Sequence, residues 1–246
     1  TISDGGQDND CIYYVFTTKE ELQAAVDSWV SDQTTAITTY GGIKLWDVSQ
    51  ITDMSDLFRD KTTFNSDISY WDVSSVTSMN FMFANTNFNQ PIGNWDVSNV
   101  TNMNNMFAGS TSFNSDISAW NVSNVSDMGA MFMNTSSFNQ DLSNWDVSSV
   151  TSMSFMFNGS SNFNQDLSSW DVSSVADMES MFEGVTLSQS NYEATLNGWA
   201  ASEESLQFGV QFNGGNSQYC DSTGIDILET YGWTITDGGN VPYGLE

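Results

Sequence analysis

The chain has 246 residues, 39% hydrophobic and 13% aromatic, enough to bury a sizeable core. Its 31 Asp and Glu face only 4 Lys and Arg and no His, giving a formal charge of −27. This balance repels nucleic-acid phosphates and anionic membrane faces, and the lack of His excludes Ser–His–Asp and Cys–His catalysis and the commonest zinc sites.

In chain order, residues 1–10 read as the tail of a preceding module. Asp4, Asp8 and Asp10 cluster there, a composition that suits a calcium-rigidified junction, although the spacing does not match an EF-hand loop. The alternative is a plain solvated segment. Thr1-Ile2-Ser3-Asp4-Gly5-Gly6 is echoed by Thr234-Ile235-Thr236-Asp237-Gly238-Gly239, which predicts a monomeric module cut from a tandem array in a longer protein. Thr1 is no natural start, so a leader is expected to have been removed. Residues 11–45 read as an N-terminal cap. Thr18 and Glu21 form a capping box before an amphipathic helix with Leu22, Val26, Trp29 and Val30 on one side.

Residues 46–187 are repetitive. Tryptophan falls at 46, 71, 95, 120, 145 and 170, and eleven of the 12 methionines occupy two columns, eight and eleven residues after it. A unit this short cannot bury its own apolar face, so the units must stack. Trp71 and Val73 lie two apart, as on one side of a strand. Val76, Met79, Met82 and Phe83 follow at the spacing of a short helix. Thr52, Thr77, Thr101, Ser126 and Thr151 are placed to cap that helix, with Asp53, Asp127 and Asp177 in its first turn. Phe88 turns inward on the return path, and Asn65, Asn89, Asn114, Asn139 and Asn164 form a column able to bond neighbouring coils. The expected fold is an α/β solenoid: a right-handed, leucine-rich-repeat-like stack of about six coils. A parallel sheet forms one face, short helices the other, and both ends are capped. Residues 188–239 read as the second cap, with a Ser190/Glu193 box, a helix carrying Tyr192, Leu196 and Trp199, and strands near Val210–Phe212 and Trp233–Ile235. Residues 240–246 form a tail whose Leu245-Glu246 looks like a cloning scar. Cys11 and Cys220 fall in opposite caps, about 29 Å apart at a strand's width per coil, so they are expected as free, buried thiols.

The run W-D-V-S-x-V-T-x-M-x-x-M-F followed by F-N-x-D-I-S resembles the repeat of the BspA-like leucine-rich-repeat surface proteins, the mycoplasma-lipoprotein type. The resemblance covers about residues 40–187. It implies a secreted or cell-surface location, adhesion or partner binding, and no catalytic residues. Pro91, Asn121 and Ala176 depart from the pattern without breaking the coil.

The outward positions form rows. Asp47, Asp72, Asp96, Asn121, Asp146 and Asp171 make one, with serines two residues on; Asp67, Asp116, Asp141 and Asp166 make a second on the return turn. Each Asp either fixes its own coil by bonding the nearby backbone and serine, or the rows bind a divalent or cationic partner. Before each tryptophan the chain varies: Leu45, Tyr70, Asn94, Ala119, Asn144 and Ser169. Variation beside invariant neighbours marks a surface the coil does not dictate, so Asp47, Tyr70, Asp72, Asn94, Asp96, Asn121, Asn144, Asp146 and Asp171 are the candidate ligand-binding face. Phe81 and Phe155, off the apolar stripe, are expected to pack between coils, with contact to a partner as the alternative. The expected function is a non-enzymatic binding module of a surface adhesin, with a protein or glycan partner, no required cofactor and calcium as a candidate ion. A rigid spacer is the alternative. An ice-binding face and an acid-only glycosidase are weaker readings, since the Thr column is flanked by Asp and regular carboxylate pairs carry no specificity.

Overall fold

A computed structural model of the chain describes residues 14–201 and 205–241. The acidic cluster Asp4, Asp8 and Asp10 and the thiol of Cys11 lie outside the described residues. Among those described, no helix is long and apolar enough to cross a membrane.

Each repeat buries the same eight positions. In the unit around Trp71 these are Ile68, Trp71, Val73, Val76, Met79, Met82, Phe83 and Phe88, and the next unit buries Ile92, Trp95, Val97, Val100, Met103, Met106, Phe107 and Phe113. The backbone reaches this arrangement by a route the sequence did not suggest. No helix lies between Trp46 and Leu187 among the described residues. The three-residue spacing of Met79 and Met82 comes instead from successive tight turns, with Met82 N–H bonding Met79 O (3.1 Å) and Ala84 N–H bonding Phe81 O (3.1 Å). Phe81 and Asn85 have φ of 54° and 57°, in the left-handed region, with Phe81 the third residue of the turn that Met82 N–H closes on Met79 O. A helix would close these amides on itself. Here every second one leaves the coil: Met79, Phe81, Phe83 and Asn85 N–H bond the carbonyls of Asn102, Asn104, Met106 and Ala108 in the next repeat, at 2.8–3.0 Å. That alternation belongs to a parallel ladder, and parallel bridges run Asp53–Ser78–Asn102–Asp127–Ser152–Asp177. The ladder therefore sits in the segment expected to be helical. The Trp-Asp-Val segment expected to be a strand is a pair of turns instead, closed by Trp71 N–H to Ile68 O and Val76 N–H to Val73 O.

The helix-capping roles expected of Thr and Asp fall with the helix. Thr77, Thr101, Ser126 and Thr151 hydroxyls each donate to the carbonyl of the same column one repeat earlier, at 3.1–3.2 Å. Asp53 and Asp127 accept from the N–H two residues on, at 2.8 Å, and Asp177 does so at 3.1 Å.

Three further columns bind repeat to repeat. The indole N–H groups of Trp71, Trp95, Trp120, Trp145 and Trp170 reach the carbonyls of Ile43, Ile68, Ile92, Ile117 and Leu142, satisfying a buried donor as it bridges coils. Phe58, Phe83, Phe107, Phe132, Phe157 and Phe182 stack with ring planes within 9° of parallel and centroids 5.3–5.8 Å apart. Asn89, Asn114, Asn139 and Asn164 each donate their backbone N–H to the side-chain oxygen of the previous asparagine, at 2.9 Å.

Both ends are covered by the caps. Thr18 accepts from Glu21 N–H (3.2 Å) and starts α1 (Lys19–Ser31). The Glu21 carboxylate returns to Thr17 N–H and the Tyr14 hydroxyl rather than closing a strict box on Thr18. Leu22, Val26 and Trp29 are buried as expected, but Val30 is exposed. A second helix, α2 (Gln33–Tyr40), follows from Asp32, whose carboxylate accepts from Thr35. Tyr14–Phe16 supply a rung ahead of the first repeat through bonds to Asp47.

At the far end α3 (Gln189–Ala200) starts two residues before the expected position, capped by Ser188. Its Trp199 indole bonds Leu167 O (3.0 Å), continuing the tryptophan column into the cap. Strand β1 (Gln211–Asn213) bridges Met178 and pairs in parallel with β2 (Thr234–Thr236), so the ladder continues into the cap. Between them α4 (Thr223–Thr230) packs on α3 through Gly224, where a Cβ would lie 2.7 Å from the Leu196 backbone. Cys220 is a free thiol, but half-buried rather than buried, with Sγ 2.8 Å from Val241 O.

Candidate binding face

The Asp/Asn row is built by one local device. Asp47, Asp72 and Asp146 each use Oδ1 to accept the N–H and the hydroxyl of the serine two residues on, at 2.6–3.1 Å. Asn121 holds Ser123 in the same way, and Asp96 and Asp171 accept the N–H of Ser98 and Ser173. This closes the turn after the tryptophan and accounts for the Asp-x-Ser spacing. On the return row Asp67, Asp116, Asp141 and Asp166 do the same with Ser69, Ser118, Ser143 and Ser168. Bonding to Ser148 holds the Asp146 carboxyl below its ordinary range, and Ser118 does so for Asp116. Structural work and exposure coexist: Asp72, Asp96, Asn121, Asp146 and Asp171 are exposed, Asp47 is half-buried, and Tyr70, Asn94 and Asn144 are exposed beside them.

The structure brings three of these residues together and spreads the rest along the stack. Asp47, Tyr70 and Asp72 line a groove of about 510 Å³ with Lys44, Leu45, Trp46 and Ser49. Tyr70 is 72% exposed. The Lys44 ammonium lies 4.4 Å from the Tyr70 ring centroid and 2.5 Å from Asp67 Oδ2. That ammonium, then the Ser69 hydroxyl and N–H, pull the Asp67 carboxyl down to about 2. The position before the tryptophan carries an aromatic ring only at Tyr70; Asn94, Ala119, Asn144 and Ser169 follow.

Lys44 is the groove residue that reading by rows missed. Its signal was the confinement of all four cations to residues 19–61. The other three are paired too: Lys19 with Asp53 (2.9 Å), Lys61 with Asp27 (2.6 Å) and Arg59 with Asp56 (2.9 Å). Arg59 also lies over the Phe81 ring at 4.4 Å, so Phe81 packs as expected, whereas Phe155 is 37% exposed. Among the described residues no group of three or more Cys, Asp or Glu is arranged to hold a metal ion.

No curated protein and no solved structure matches the chain significantly. The family described as Mycoplasma protein of unknown function, DUF285, matches residues 28–128 and again 116–214. Its two matches cover well over half of the chain, and both fall mainly on the stacked repeats. The chain is a member of the DUF285 family.

Proposed function

We propose that this chain is a non-enzymatic binding module of a secreted or cell-surface adhesin, a solenoid of the BspA-like leucine-rich-repeat type. It presents its Asp/Ser face to a protein or glycan partner. The observation that carries this reading is the row from Asp47 to Asp171, exposed from Asp72 onward, whose first two members line a groove with Tyr70. Side chains held by their own serines are pre-organised, so binding costs little ordering entropy. The deciding experiment is a glycan and peptide array probed with the intact chain, with and without calcium. Binding that falls on substitution within the row supports the reading, and calcium dependence would assign an ion. A second reading, a rigid spacer, is favoured by the bridges that run from Asp53 to β2. It stands if no array component is retained.

A further inference from the structure

The Asp row runs the length of the stack, and its first two repeats combine it with a groove and with the one aromatic ring that precedes a repeat tryptophan. In that groove the chain already carries an ammonium of its own: Lys44 sits over Tyr70 and against Asp67. The arrangement is the one by which an aromatic ring and a carboxylate together recognise a cation. Lys44 answers the charge of Asp67. Asp47 and Asp72, on adjacent coils of the same groove, have no ion-pair partner among the described residues, and their serine bonds occupy only Oδ1. We propose that this groove docks a lysine- or arginine-rich segment of a partner polypeptide, one cationic side chain entering between Asp47 and Asp72 against the Tyr70 ring.

The proposal rests on the binding-module reading and names its partner. Charge complementarity selects the occupant. The chain carries −27 overall, which draws a basic segment in from a distance, and the groove adds two uncompensated carboxylates at the point of contact. A neutral sugar would use the ring but would leave both carboxylates without a countercharge.

The test measures binding of the intact chain to a synthetic alternating Lys-Gly peptide at physiological salt. Peptides with acetylated and with trimethylated lysines, and a neutral oligosaccharide such as cellohexaose, run alongside. Tyr70→Ala should weaken binding about three- to tenfold, within the range of a cation–π contact. The pair Asp47→Asn and Asp72→Asn should weaken it at least about tenfold, each carboxylate contributing a partly screened ion pair. Both serine bonds survive this change, because Asn121 makes them with Ser123 (2.8 and 3.2 Å). The same change of charge on the return row, Asp141→Asn with Asp166→Asn, should stay within about twofold, as expected of charges screened beyond a Debye length. Acetylation should abolish binding, and trimethylation should preserve it. Equal losses for the two Asn pairs would reduce the effect to general charge attraction and overturn the proposal. Oligosaccharide binding that depends on Tyr70, without peptide binding, would overturn the proposal yet keep the binding-module reading. Retention of nothing, here or on the arrays, would remove both. Thermal melts confirm that each variant is folded.

Discussion

Glycine and left-handed turns decide the coil at single positions. Gly159 has φ of 70°, and a Cβ there would lie 2.3 Å from Asn134 Oδ1 in the coil before it. Gly159→Ala should therefore lower stability by about 1–3 kcal/mol in urea melts. At Gly42 a Cβ would meet nothing within 4 Å, so alanine should be tolerated there with little change. Buried hydroxyls are a second residue-scale device. Thr86, Ser110, Thr135 and Ser160 form a column in which Ser110 Oγ accepts from Thr86 N–H and donates to Phe83 O. Ser110→Ala would strand the Thr86 amide, and a loss of about 1–3 kcal/mol should follow, seen as a lower urea midpoint with an unchanged slope. Nothing in the sequence singles out this column, because a Ser or Thr near a turn looks the same whether buried or exposed. The eight apolar columns were legible because they recur in every unit. Asp67 is the residue-scale pH probe. Its carboxyl titrates at about 2 when folded, against an ordinary 3.8, so its stabilisation is whole above about pH 4 and disappears as pH falls toward 2. Asp67→Asn should make the melting temperature fall less steeply over that window than it does in wild type, the remaining decline coming from carboxylates such as Asp116 and Asp146.

At the scale of elements, the misreading of the repeat has a physical cause. Consecutive turns and an α-helix both bring apolar residues round every three or four positions, so Val76, Met79, Met82 and Phe83 fit either. The discriminating signal is the left-handed residue. One column carries it openly as Asp60, Asn85, Gly109, Asn134, Gly159 and Gly184, residue types that tolerate positive φ. The other hides it behind Phe81, Ala130 and Phe155, which adopt φ of 52–57° because the ladder bonds on either side compensate the strain. Trp199 escaped the tryptophan count for a related reason. It comes 29 residues after Trp170, on a helix, and still lands on the column one coil further along. Asn114→Ala removes the acceptor used by Asn139 N–H and Gln140 Nε2, two bonds between neighbouring coils. It should cost about 1 kcal/mol, and the amide of Asn139 should exchange faster with deuterium.

For the whole molecule, the candidate face was only partly legible. The Asp row follows from its period, but the groove depends on Lys44 and Tyr70 meeting across adjacent coils, which no single repeat reveals. The stack behind that face implies that a coil is a removable unit whose neighbours can close over the gap. Residues 96–120 are one such unit, since their excision joins Trp95 to Asn121 and keeps every column in register. The measurement that tests this most directly is thermal unfolding of the excised chain, followed by tryptophan emission. A removable coil predicts buried, blue-shifted emission at 25 °C and one cooperative transition, a few degrees below that of the full chain. Solvent-exposed emission at 25 °C with no transition would contradict it.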